Sequence, residues 1–205
     1  MRAAFISFVV FLLFSVYLYL RRGYYDVYII NKVLGSTAVV VAGLTLLAGP
    51  LRRIRFITPL MTIRRQLGLT AFGLVVFHVI FSLFQMERFE WFSWYIEEWI
   101  PVTFGIIAVI AWICMVYISR DSKIVSLGAD RWKKWLSFLG KLAFLAIFLH
   151  LVILKYPGWI RWFTGQTRQT PELLNPSYPP ASLFVFLIML VIILYRIYCD
   201  FLRKK

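Results

Sequence analysis

The chain has 205 residues, of which 61% are apolar, 19% aromatic and only 16% charged. Soluble domains carry about 25% charge, so the composition excludes an ordinary soluble domain and indicates an integral membrane protein. A net charge of +14 would suit a nucleic-acid partner in a soluble protein; here its placement along the chain, traced below, assigns it to the membrane surface, and no nucleic acid is expected.

A membrane helix needs roughly 20 mostly apolar residues. Six segments qualify: residues 3–20, 32–48, 66–84, 99–119, 134–154 and 181–199. The expected fold is an all-α bundle of six transmembrane helices, a single transmembrane domain over residues 1–205. Cys114 and Cys199 lie in different apolar runs with no partner at metal-ligand spacing, and both read as packing residues, since free cysteine behaves as a small buried hydrophobe.

The first run, AFISFVVFLLFSVYLYL, has the length of a signal peptide but no small-residue cleavage site, and Arg21 and Arg22 follow it directly. It reads as a retained helix. RRGYYDVYII then reads as an aromatic interfacial turn. The second span is rich in Gly, Ala, Ser and Thr, residues that let membrane helices approach closely, and it ends at Gly49-Pro50. The loop after it carries Arg52, Arg53, Arg55, Arg64 and Arg65. These suit a cytoplasmic anchor; a phosphate or nucleotide contact through guanidinium is the sharper alternative, with no glycine-rich phosphate loop beside it.

The third span holds His78 and the fifth holds His150, the only two histidines in the chain. An ionisable side chain inside a membrane span is costly and marks a functional candidate. At about 1.5 Å rise per residue, His78 lies roughly 18 Å along its span and His150 about 24 Å along its own. A shift of a few residues in where either span begins brings the two to one depth in the outer half of the bilayer. One turn below each histidine lie Leu74 and Ala146, and two turns below lie Ala71 and Ala143, on the same helix face. Three small residues there leave space for a flat macrocycle.

A single intramembrane histidine ordinarily hydrogen-bonds a neighbouring helix. Two at one depth, on spans running in the same direction, point to a shared iron: one b-type haem held by His78 and His150, with Ala71 and Ala146 lining it. Zinc normally takes four ligands, and no Cys, Asp or Glu sits at that level. A chlorophyll on each histidine is a third possibility. Lys155 and Arg161, which follow His150, and Arg88 are placed to neutralise haem propionates at the outer face.

QMERFEWFSWYIEEW, the third loop, joins Glu87, Glu90, Glu97 and Glu98 to Trp91, Trp94, Tyr95 and Trp99. Tryptophan and tyrosine settle at the headgroup level, so this segment lies on the outer surface, its acids solvated or serving a docking partner. The fourth span has no charge and reads as packing. Gly128 punctuates the next turn. The fifth loop, residues 155–180, is long and rich in Pro, Gly and aromatics, and such loops tend to be functional or disordered. Lys141 and Arg196 lie near cytoplasmic span ends, where long side chains reach back to water.

Counted by side, the N-terminus, second loop, fourth loop and C-terminus hold 14 Lys/Arg and 3 acids; the opposite side holds 7 and 6. By the positive-inside rule both termini are cytoplasmic, although Arg21, Arg22 and Lys32 argue locally for the reverse, and the basic clusters touch anionic lipid.

Several stretches resemble a known family. RRQLGL at the start of the third span, the histidine within that span, LGADRW before the fifth span and the histidine near its outer end follow in the order found in the ferric-reductase-like transmembrane domain. Within that family the chain is most similar to haem-binding membrane subunits of periplasmic methionine sulfoxide reductase systems. The likeness covers about residues 32–156. It implies a six-helix bundle with His78 and His150 as axial ligands of b-type haem, taking electrons from membrane quinol or a flavin and passing them to an oxidoreductase partner outside the cytoplasmic membrane. The chain also departs from the pattern. Relatives usually carry another histidine at the inner end of the fifth span, where this chain has Leu136 and Ser137. Two-haem members carry an inner histidine on the third span, where this chain has Arg64 and Arg65. One outer haem is therefore implied, fed by a donor dissolved in the membrane.

Two other classes compete with electron transfer. One is an accessory or assembly subunit of a larger membrane redox or photosynthetic complex, its histidines packed or bound to pigment. The other is a small transporter or channel, for which intramembrane acids and a broken-helix pair are missing from the sequence.

Overall fold

Backbone polar groups inside lipid must be satisfied within the segment, which makes each long apolar run of this chain a helix. The computed structural model describes residues 2–53, 58–84 and 96–202. These form α1 (Arg2–Arg22), α2 (Val27–Ala48), a 3-10 turn (Pro50–Arg53), α3 (Thr58–Thr62), α4 (Arg64–Phe84), α5 (Trp99–Ile118), α6 (Asp121–Leu127), α7 (Ala129–Phe163) and α8 (Ala181–Leu202). Six of them, α1, α2, α4, α5, α7 and α8, are long and apolar enough to cross a membrane. The protein is an all-α, six-helix, multi-pass membrane bundle. Its outer surface is apolar along the spans, with Phe5, Phe8, Phe77, Ile110 and Val191 all exposed, as a lipid-facing surface should be.

The small residues of α2 make it the central helix. Half of its span is buried, against 17–22% for the other five. Thr37, Ala38 and Val41 are fully enclosed, and at Gly43 an added methyl carbon would collide with Ile192 Cδ1 of α8. Close backbone approach of this kind replaces the hydrophobic drive that lipid cannot supply. The other tight pairs are α2 with α4 and α5 with α7.

Successive spans alternate in direction, so the bundle has two ends. At one end Arg196 Nη1 donates to Leu46 O (3.4 Å) and Trp132 Nε1 donates to Ile118 O (2.8 Å). At the other, which we term the outer end by the positive-inside asymmetry, Asn31 Nδ2 donates to Ser82 Oγ (2.9 Å). Lys141 and Arg196 share Asp200 near the first of these ends, where Lys141 and Asp200 are exposed: Lys141 Nζ pairs with Oδ2, and Arg196 Nη2 lies 3.7 Å from Oδ1.

Three expectations change. The first turn of the second span starts earlier than expected: Asp26 caps α2 by accepting from Ile29 N–H (2.9 Å), so VYII is helical and the turn shrinks to residues 23–26. The fifth span is much longer, 35 residues continuing through Pro157, so residues 155–163 belong to α7 and not to a loop. Cys114 is exposed on the lipid side of α5 and packs nothing in the interior. Gly128, with φ +74°, does separate α6 from α7.

Residues 164–180 form a cap over the end of α1. The last carbonyls of a helix have no partner of their own, and here the loop supplies them: Asn175 Nδ2 donates to Leu20 O (2.6 Å), Asn175 N–H to Arg21 O (3.0 Å) and Leu174 N–H to Arg22 O (3.3 Å). Arg21 Nε and Arg22 Nη1 return hydrogen bonds to Tyr178 O and Glu172 O, both 2.9 Å. Gly23 makes the cap possible. Its φ is +81°, and an added methyl carbon would lie 3.0 Å from Leu174 Cβ and Cδ2. A β-branched residue in that conformation costs about 1–2 kcal/mol before any clash. Gly23→Val is expected to detach the cap, read as a lowered melting temperature in detergent and new proteolytic cleavage within residues 164–180.

Candidate functional site

His78 sits in the outer half of α4 and leans on α2. Its Nδ1 lies 3.0 Å from Asn31 O. A carbonyl can only accept, so Nδ1 carries the proton and Nε2 of the neutral ring keeps its lone pair. The same two helices are tied once more at this level: Asn31 Nδ2 donates to Ser82 Oγ (2.9 Å), and Ser82 Oγ donates to His78 O (2.7 Å). The ring lies against Gly35, where a methyl carbon would stand 3.0 Å from Cε1, 3.1 Å from Nδ1 and 3.4 Å from Nε2.

His150 repeats the arrangement on the other helix pair. Its Nδ1, on α7, donates to Pro101 O of α5 at 2.7 Å. Its ring lies against Gly105, where a methyl carbon would be 3.2 Å from Nδ1 and 3.5 Å from Cε1. In each pair the accepting carbonyl precedes the glycine by four residues, Asn31 to Gly35 and Pro101 to Gly105. One helical turn therefore presents both the acceptor and the bare backbone that lets the ring come close. Two hairpins, α2 with α4 and α5 with α7, thus use one device.

His78 lies within electrostatic reach of both His150 and Lys155, although α4 and α7 are not packed tightly on each other. Both rings are half-buried, within apolar helix segments. Among the described residues no group of three or more His, Cys, Asp or Glu gathers.

The other residues expected at the site divide. Ala71 is fully buried in a cluster with Ala38, Val41 and Ala42 of α2 and Trp112 of α5; the room it releases is used by helix approach. Ala146 is likewise buried, at 4% exposure. Lys155, five residues beyond His150, lies at the site. Arg161 does not: it is exposed, and its Nε donates to Pro157 O at 3.4 Å. Arg88 lies outside the described residues, as do Glu87, Glu90, Trp91, Trp94, Tyr95 and Arg55.

No protein-family model and no curated protein matches this chain. The likeness to the ferric-reductase-like domain rests on the residues quoted for it above.

Sequence reasoning missed Lys32, Gly35 and Gly105. Lys32 follows the carbonyl that holds His78, its Nζ is 3.8 Å from the centre of the Tyr28 ring, and it lies within electrostatic reach of Lys155 and Arg22. The glycines left a faint trace in the sequence, each standing 43 or 45 residues before a histidine.

The donor chemistry fits a haem. Metal-bound histidine almost always donates its other ring N–H to a carboxylate, carbonyl or water, which fixes tautomer and orientation. Both histidines have that bond, and in both the nitrogen left over is Nε2. A hydrogen bond to a neighbouring helix, the ordinary use of an intramembrane histidine, is also realised here, but it uses only one nitrogen of each ring.

Proposed function

We propose that this chain is a b-type haem electron-transfer subunit of the cytoplasmic membrane. It takes electrons from quinol or a flavin and delivers them to an oxidoreductase partner on the outer side. The observation that carries the reading is the matched pair of imidazoles, each fixed through Nδ1 on a main-chain carbonyl, each leaving Nε2 for a metal. The resemblance to the ferric-reductase-like domain supports it, and the excess of Lys and Arg on the side of the termini supports cytoplasmic ends.

His78 and His150 would hold the iron, and the haem when bound supplies a one-electron carrier within the membrane. Asn31 O and Pro101 O hold the protons on Nδ1, so neither ring can turn its other nitrogen inward. The Asn31–Ser82–His78 chain of hydrogen bonds fixes α2 against α4 where the ligand emerges. The apolar spans around both rings exclude water, so the histidines stay neutral donors.

The test is an absorption spectrum of detergent-purified protein, oxidised and then reduced with dithionite, followed by a pyridine haemochrome assay. A b-type spectrum at about one haem per chain is the expected result. A second reading, an accessory or assembly subunit of a larger membrane redox or photosynthetic complex, is favoured by the fact that both histidines already bond neighbouring helices. Purification with stoichiometric partners and no haem absorbance would establish it in place of the first.

A further inference from the structure

The outer end of the bundle concentrates positive charge where the histidines emerge. Arg21, Arg22, Lys32 and Lys155 lie within electrostatic reach of one another in a chain of pairs, and among the described residues Asp26 reaches Lys32 and Glu98 reaches Lys155. The arginines are engaged with the cap, Arg21 with Tyr178 O and Arg22 with Glu172 O. Neither lysine is. Among the described residues Lys32 Nζ has only the face of Tyr28, and Lys155 Nζ has no hydrogen-bond acceptor or ion-pair partner. Both are half-buried within spans, where a cation without an anion is expensive.

Lys32 adjoins Asn31, whose carbonyl holds His78, and Lys155 follows His150 by five residues, about 7.5 Å further out along α7. Lys155 lies within electrostatic reach of both histidines and of Lys32. We infer that Lys32 and Lys155 are a paired seat for two carboxylates, those of the haem propionates, so that the macrocycle stands with its acidic edge toward the outer surface. This rests on the haem reading above and assigns to Lys32 and Lys155 the anchoring role that Arg161, exposed and turned to Pro157, does not fill. The pair acts by charge-assisted hydrogen bonds, which are shorter and stronger than neutral ones, in surroundings that screen them little.

Haem and its dimethyl ester separate this claim from the haem reading, because both present the same iron and only the free acid has carboxylates. Haem-free protein in phosphatidylcholine nanodiscs is titrated with each and followed by absorbance. Wild type is expected to prefer the free acid by about tenfold or more, the scale of one charge-assisted bond. Lys32→Met with Lys155→Met should bring the free acid down to the affinity of the ester, whose own binding is unchanged, while Lys32→Arg with Lys155→Arg should keep the preference. Unchanged ester binding also reports that the Met variant is folded. Equal affinities in wild type, or a preference that survives in the Met variant, would overturn the inference and leave the haem reading standing. Failure of wild type to bind either compound would remove both. Repeating the titration with phosphatidylglycerol in the disc tests the other source of anions: a preference that vanishes there identifies the lysines as a lipid-phosphate seat, against the inference.

Discussion

His78→Ala and His150→Ala are each expected to abolish the haem spectrum while leaving the bundle folded. Each change removes one of two donors to the iron. The structural cost is small, since the bond lost to Asn31 O or Pro101 O is a neutral hydrogen bond worth about 0.5–1.5 kcal/mol. Bundle integrity rests elsewhere, on the close packing of α2 through Ala38, Val41, Ala42 and Gly43. Size-exclusion profile and helical circular dichroism should therefore match wild type while haem per chain falls toward zero. If the histidines served only as links between helices, the same variants would show slightly lowered melting and no spectral change, because there would be no spectrum to lose. Loss of haem from one variant alone would mean that the two rings do not share an iron.

Gly35→Val and Gly105→Val are expected to weaken haem binding without touching a ligand. Carbon atoms pack at about 3.5–4.0 Å, yet a methyl carbon at Gly35 would stand 3.0 Å from His78 Cε1, and one at Gly105 3.2 Å from His150 Nδ1. Valine adds two further carbons beyond that point. The imidazole must swing away, and in doing so it gives up the carbonyl that fixes its tautomer. Loss of an outer-shell partner of this kind typically costs about 10- to 100-fold in metal affinity. Haem titration of the two variants reads this directly. Gly68→Val and Gly73→Val, on the same helix as His78, are the controls: an added methyl carbon at either meets nothing within 4 Å, and haem affinity should not change. Equal behaviour of all four variants would show that the glycines do not position the rings.

The membrane class, the number of spans and the presence of two histidines inside apolar runs were legible in the sequence alone. Hydropathy over some twenty residues is a strong and local signal, and two ionisable residues stand out in apolar runs whatever packs around them. The turn at Gly128 was legible for a similar reason, since a residue held at φ +74° favours glycine locally.

What the tertiary structure decided was the other half of each interaction. The acceptors for the two histidines are backbone carbonyls, and a carbonyl carries no residue identity, so nothing at Asn31 or Pro101 announces the role. Whether an alanine lines a cavity or closes a helix contact depends on what lies across from it, and for Ala71 that is Ala38 and Val41 of α2. The long outer extension of α7 was hidden because its aromatic, proline-containing end suits an interfacial loop as well as a helix. The cap of residues 164–180 on α1 joins segments some 150 residues apart, a distance over which local sequence says nothing. Lys32 comes within electrostatic reach of Lys155 for the same reason: charge can be counted along a chain, but which charges lie near one another is fixed only when the helices pack.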